Sequence, residues 1–268
     1  MAKIYVFLLG LLLNPTIIVA DVIFFGANES PPFWSTSLPH QGMCGEILQA
    51  MSEQAGLETK IEFKPLKRLI EDTENNDLGN PRFYIEQQDF AYILPIALYE
   101  AVFYYYEPNF IEQPIQFSTL ADLKHYKIGI LKGTLLDKAT FEDLGIQFES
   151  SYSHASIVKK LKLGRIDLGL EIDLVSKLTI NRLYPELATN FKEIRIPNTI
   201  APIAIMINEN LPNAQYIARQ YKQALQHIIE QGRYQKIIEK YYGKKGLPAG
   251  WLKKLQRFER LYNFGRME

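Results

Sequence analysis

Cysteine is almost missing from this chain: Cys44 is the only one in 268 residues, so no intramolecular disulfide can form. It stands in "GMCGE" with no base near it in sequence and reads as a small buried thiol rather than a nucleophile. An excess of charge of either sign is missing too. Thirty Lys and Arg balance thirty Asp and Glu, which leaves no overall field to attract nucleic acid or an anionic membrane. His40, His125, His154 and His227 are scattered, and no two stand at the spacing of a metal-ligand pair. Neither the Gly-x-Ser-x-Gly turn that presents a nucleophile nor a glycine loop that cradles phosphate occurs. No cofactor or metal is expected.

No segment after the N-terminal one approaches membrane-spanning length. Lys3 is followed by "IYVFLLGLLL" (4–13), then by Asn14 and Pro15, and "IIVA" ends in Ala20. That order is the one of a cleavable export signal over residues 1–20. Its apolar core is about half of the roughly 20 residues that a spanning helix needs. No cysteine stands at the expected cleavage point, so a lipid anchor is not indicated. Export without disulfides fits a bacterial periplasm. The remainder, in a chain of 47% hydrophobic and 22% charged residues, has a globular composition and room for one large domain or two ordinary ones.

Strand and helix patterns then alternate. "VIFFGA" (22–27) reads as a strand, "GEILQAMSEQAG" (45–56) as a helix stopped by Gly56, and "TKIEFK" (59–64) as a second strand. This βαβ order predicts parallel pairing. A short helix around 66–70 leads into a polar turn region, "EDTENNDLGNP" (71–81). "DFAYILPIALYEAVFYYYEPN" (89–109) is rich in β-branched and aromatic residues but interrupted by Pro95, with 99–106 as one long strand. A second alternating set follows: a helix start in "STLADLKHY", a strand at 127–131, "KGT" (132–134), a helix over 135–144, a helix over 154–164, a strand in "RIDLGLEID" (165–173) and a strand at 202–208. The strongest helical stripe lies in 213–232 (Ile217, Tyr221, Ala224, Leu225, Ile228, Ile229), with a shorter helix at 233–243. The basic tail predicts a terminal helix packing Trp251, Leu255 and Phe258 on the body.

"ANESPPFWS" (27–35) closes the first strand with two prolines and two adjacent large aromatics. Two readings fit. Phe33 and Trp34 form one wall of a ligand site, with Trp34 offering its indole N–H and Asn28 and Glu29 adding polar contacts, or the stretch is a rigid exit packed on the core.

The order of landmarks resembles the bacterial extracellular solute-binding proteins of family 3, the amino-acid type. "SPPFWS", "GMCGEILQAMSEQAG", "KPLKRLIED", "STLADLKHYKIGILKGT", "VKKLKLGRIDLGLEID" and "ALQHIIEQGRYQKIIEKYYG" carry the likeness over residues 22–243. The resemblance implies an α/β, two-lobed, type II periplasmic-binding-protein-like fold: two α/β sandwiches joined by two hinge strands. Lobe 1 would combine 21–100 with 203–268, and lobe 2 would span 101–202. It further implies a monomer that holds a small polar, amino-acid-like solute between the lobes. The partner would be an inner-membrane ABC permease or a membrane receptor. Within that frame Gly133 and Thr134 suit a ligand carboxylate at a helix start, and Glu171 or Asp173 suits its ammonium. Asp167 is expected to brace a turn.

Two departures from the family pattern stand out. The usual Gly-x-x-Asp pair is replaced by "NNDLGNPRFYIEQQD", and the arginine that clamps an α-carboxylate, about nine residues before Pro95, is replaced near Glu86. Arg68, where Leu66 takes the place of a family tryptophan, and Arg82 are the candidate substitutes. Transport is the leading expectation, ligand sensing on the same fold the second. A dehydratase-like enzyme using Glu29, Glu86, Glu171 or Asp173 is third, and no spacing among these carboxylates marks acid-base catalysis. The protein is expected not to be an enzyme.

Overall fold

The computed structural model describes residues 22–86, 89–117, 119–132, 142–244, 247 and 249–263. The opening βαβ forms as the pattern predicts. β1 (Ile23–Ala27) and β2 (Thr59–Phe63) pair in parallel across α1 (Met43–Ala55), and Gly56 ends that helix in the left-handed conformation. α2 (Leu66–Glu71) leads into β3 (Asn76–Gly79), which lies beside β1. β3 falls inside the stretch expected to be a polar turn. Its polarity is satisfied laterally: the Asn76 side chain donates to the Phe24 carbonyl at 3.2 Å and accepts from the Asn208 N–H at 2.9 Å. A buried strand can thus carry a polar sequence when its neighbours supply the partners.

β4 (Phe90–Tyr99) is buried almost throughout and contains Pro95. β10 (Ala201–Asn208) runs antiparallel to both β3 and β4, giving the order β2-β1-β3-β10-β4. Pro95 is tolerated because β4 is an edge strand and the register shifts between Ile203 and Ala204, opposite it. The second sheet has the order β7-β6-β8-β5-β9, built from β5 (Ala101–Tyr106), β6 (Ile128–Leu131), β7 (Phe148–Ser151), β8 (Leu168–Ile172) and β9 (Phe191–Arg195). β6, β7 and β8 are parallel, and β5 opposes β8 and β9. The long strand expected over 99–106 is therefore two strands in two sheets, broken at Glu100. Ala201 and Pro202, expected in the second lobe, pair with Tyr99 and Leu98 in the first sheet.

α3 (His154–Lys162) follows β7 and is capped by Ser153, whose hydroxyl accepts from the Ser156 N–H at 3.2 Å. α4 (Asp173–Leu183) begins directly at the end of β8, where the sequence suggested only a strand exit. Asp167 braces its turn, accepting from the Lys127 N–H at 2.7 Å. Most of the helix expected over 135–144 lies outside the described residues, as does the export segment 1–20. Alternation along β5 splits the second core, with Phe103 against Ile128, Ile130 and Leu170 on one face and Tyr104 against Ile157, Val158 and Leu161 on the other.

α5 (Ala214–Glu230), α6 (Arg233–Tyr242) and α7 (Trp251–Tyr262) close the first lobe. Trp251 and Leu255 are buried, and Phe258 packs against the same core. Three side chains from this region bond to the backbone of the edge strand β4. Tyr234 donates to the Ile96 carbonyl at 2.8 Å and Tyr242 to that of Leu98 at 3.2 Å. Asn263 takes both groups of Ile93, accepting its N–H at 3.0 Å and donating to its carbonyl at 2.7 Å. Covered in this way, the edge offers no template for another strand. Asn263→Ala strips two buried backbone groups of their partner and is expected to cost about 1–3 kcal/mol. Urea unfolding of the variant against wild type checks this, with an unchanged m-value.

Candidate functional site

The strand directions locate the site. β4 runs parallel to β1 and β3, so the chain leaves the first sheet at the edge where those strands end. It enters the second sheet with Ala101 opposite Ile172, the last residue of β8. The return, between Arg195 and Ala201, joins the same two edges. Both crossings therefore bring the carboxyl ends of the two sets of parallel strands to one seam, the position where open α/β sheets bind ligands.

The loop after β1 turns out to be internally committed. Ser30 and Trp34 exchange backbone hydrogen bonds of 2.9 and 3.2 Å. The carbonyls of Pro32 and Phe33 accept from the N–H groups of Met43 and Cys44 at 2.8 and 3.0 Å. They cap the N-terminus of α1, so its orphan donors serve the loop and not an anion. Phe33 and Trp34 are 3% and 1% exposed and belong to the core. The ring of Phe33 lies 6.2 Å from that of Tyr99. The wall of the ligand site expected of these aromatics is thus not on display: the rigid-exit reading describes them. The Trp34 indole N–H is enclosed without a hydrogen-bond partner among the described residues. Cys44 is fully buried, which pushes its thiol pKa well up.

Glu29 also serves the loop, accepting from the Ser35 hydroxyl at 2.5 Å and the Thr36 N–H at 3.0 Å. Burial acts to raise its pKa, but these hydrogen bonds outweigh it and hold the carboxyl below its ordinary value. Asn28 is half-buried beside it. Arg68 on α2 and Arg82 after β3 are exposed, and neither forms an ion pair among the described residues. Asn80, next to Arg82, donates to the Tyr99 hydroxyl at 2.7 Å. Burial raises the Tyr99 pKa, opposed by that hydrogen bond and by the charge of Arg82, which places Arg82 within electrostatic reach of the first crossing.

On the second sheet Gly133 and Thr134 lie outside the described residues. Lys132, just before them, is exposed, its ammonium 4.8 Å from the centre of the Tyr152 ring. Tyr152 is 85% exposed, the most exposed large aromatic of the described chain. Glu171 is 9% exposed and is not free for a ligand ammonium: its carboxylate bonds the His154 ring and accepts the Ile172 N–H at 2.9 Å. The bond to Glu171 raises the His154 pKa above its ordinary 6.5, against burial, which lowers it. Asp173 is 0% exposed at the start of α4, and its own N–H donates to the Glu100 carbonyl at 3.0 Å. Burial pushes its carboxyl pKa up, against the pull of the Leu174 N–H and the Lys177 ammonium. Leu174 and Val175 pack into the core of the first lobe, so this end of α4 is an interlobe contact. Neither carboxylate proposed for an ammonium is offered to the seam.

Tyr152 and His154 were not among the candidate site residues read from the sequence. The signal for them was available, since both immediately follow a strand that ends at the carboxyl edge, but β7 itself was not recognised. Among the described residues no helix is long and apolar enough to cross a membrane.

This is a two-lobed α/β fold of the periplasmic-binding-protein kind. No protein-family model matches the chain, and no curated protein does. Solved structures do. The arginine-, lysine-, histidine-binding protein ArtJ from Geobacillus stearothermophilus superposes with a TM-score of 0.59 at 18% identity, over 88% of this chain and 100% of that one. A histidine kinase sensor domain with similarity to periplasmic binding proteins gives 0.60 at 13% identity, over 84% and 97%. The GluR0 ligand-binding core from Nostoc punctiforme, in complex with L-glutamate, gives 0.56 at 16% identity, over 82% and 99%.

Gly42, between the loop and α1, adopts φ 94°, and a Cβ there would meet the carbonyl oxygens of Pro32 at 2.6 Å and Phe33 at 2.7 Å. Gly42→Ala is expected to lose about 1–3 kcal/mol from the backbone conformation alone, and more from the collision; denaturant melts measure the loss. The His154–Glu171 pair has its own pH signature. Because the folded pKa of His154 is raised, its stabilisation is complete below about 6.5 and disappears as pH climbs through the folded value. His154→Ala should therefore melt below wild type at pH 5.5, and the gap should close by pH 9.

Proposed function

We propose that the protein is a periplasmic solute-binding protein that captures a small polar solute, amino-acid-like in size, and delivers it to an inner-membrane ABC permease. The observation that carries this reading is the seam: two crossings bring the carboxyl ends of both sets of parallel strands together, with Arg68, Arg82 and Lys132 exposed there. Lobe 1 takes residues 21–100 with about 201–268, two residues more than the sequence suggested, and lobe 2 takes 101 to about 200. Hinge motion at Glu100 and at 196–200 closes the lobes on the solute. Residues 1–20 direct export, and the mature protein acts as a monomer by binding and not by covalent chemistry. The solved structures that share the fold support a binding role through their own named functions.

One of them is a sensor domain, and this favours a second reading in which the liganded form is reported to a membrane receptor. The binding event is the same in both.

Native mass spectrometry of protein purified from periplasm without refolding, paired with melts against a panel of small solutes, tests the proposal. A retained molecule at one copy per chain is expected. A panel member present at a hundredfold its Kd adds about 2.7 kcal/mol to stability, a rise of roughly 5–10 °C in Tm for a chain of this size. No retained molecule and no shift across the panel would sink it.

A further inference from the structure

We infer that the solute is an anion, a small mono- or dicarboxylate without an ammonium group. This rests on the binding-protein reading and narrows it. The charges at the seam divide by whether they are already paired or enclosed. Glu29 is folded onto Ser35 and Thr36 of its own loop. Glu171 is held by His154 and the Ile172 N–H, and Asp173, whose carboxylate oxygens have no hydrogen-bond partner among the described residues, is closed in at the lobe contact and 0% exposed. Glu62 and Asp72, at the end of β2 and the end of α2, share Lys64 at 3.2 and 3.8 Å. At the first crossing Glu100 pairs with Arg195 and, at 3.9 Å, with Lys254.

The cations are placed the other way. Arg68, Arg82 and Lys132 are exposed at the carboxyl edges and form no ion pair among the described residues. Among the described residues at these edges, Glu86, exposed on the loop after β3, is an acidic residue left without an ion pair.

An ammonium brings three donors and a charge, and enclosing it without a carboxylate or carbonyl acceptor is strongly unfavourable. A carboxylate finds the opposite situation. Two guanidinium forks can bind it in bidentate fashion, and an ammonium steadied over an aromatic ring adds a third donor.

Matched pairs of probes that differ only in the amine decide the matter: L-aspartate against succinate, L-glutamate against glutarate, and L-alanine against propionate, each titrated calorimetrically into the wild-type protein. The amine-free member is expected to bind as tightly as its amino acid or more so. Arg82→Met and Arg68→Met should each weaken it by about tenfold or more, the usual effect of losing a charged hydrogen bond. His154→Ala, which releases the Glu171 carboxylate, should move the preference toward the amino acid by about tenfold. Any wild-type amino acid binding more than about tenfold tighter than its amine-free partner overturns the inference and leaves the binding-protein reading standing. So does a retained solute that mass spectrometry identifies as neutral or cationic. If no probe binds and nothing is retained, both readings fall together.

Discussion

Glu100 is the single residue between β4, the edge strand of one sheet, and β5 of the other, and its carboxylate ties the molecule's two crossings to the C-terminal helix. It pairs with Arg195, which ends β9 at the second crossing, and with Lys254 on α7. Its backbone carbonyl takes the Asp173 N–H at the head of α4. Because β4 runs with β1 and β3, this junction can only lie at their carboxyl ends. The location of the seam, the division into lobes and the choice of loops that face one another all follow from that direction. A cavity of about 510 Å³ between the second crossing and α7 lies against the same ion pairs, so the C-terminal helix brackets the hinge from outside the seam.

Polar groups near the seam are used twice over in principle and once in fact. A loop carbonyl can hold a ligand or cap a helix, and those of Pro32 and Phe33 cap α1. A buried carboxylate can meet an ammonium or a neighbouring histidine, and Glu171 meets His154. Satisfying these groups internally stabilises the fold, since each would otherwise stand desolvated and unpaired. A group with a good internal partner gives it up only for a better one.

The elements with strong local signals were legible in the sequence. β1, α1, β2, α3, α5, α6 and α7 all carry apolar periodicity or a recognisable stop such as Gly56 or Gly164. The burial of Trp251 and Leu255 and the bracing role of Asp167 could be anticipated for the same reason. β3, β7, β9 and α4 could not. "NDLG", "FESS" and "FKEIR" have no alternation to separate them from loops, and they are strands because their neighbours supply backbone partners and cover their faces.

By itself the sequence determined the class of fold, the alternating βα order and the set of charged and aromatic residues at the strand ends, because periodicity and turn chemistry are local properties. The tertiary structure alone decided which of those residues already had partners. Glu29 and Glu171 read alike as free carboxylates, and Phe33 and Trp34 equally as a ligand wall or a packed exit, until the packing of the loop on α1 and of α3 on β8 brought distant donors and apolar surface to them. Partnership and burial depend on contacts far apart in the chain, and no local pattern encodes them.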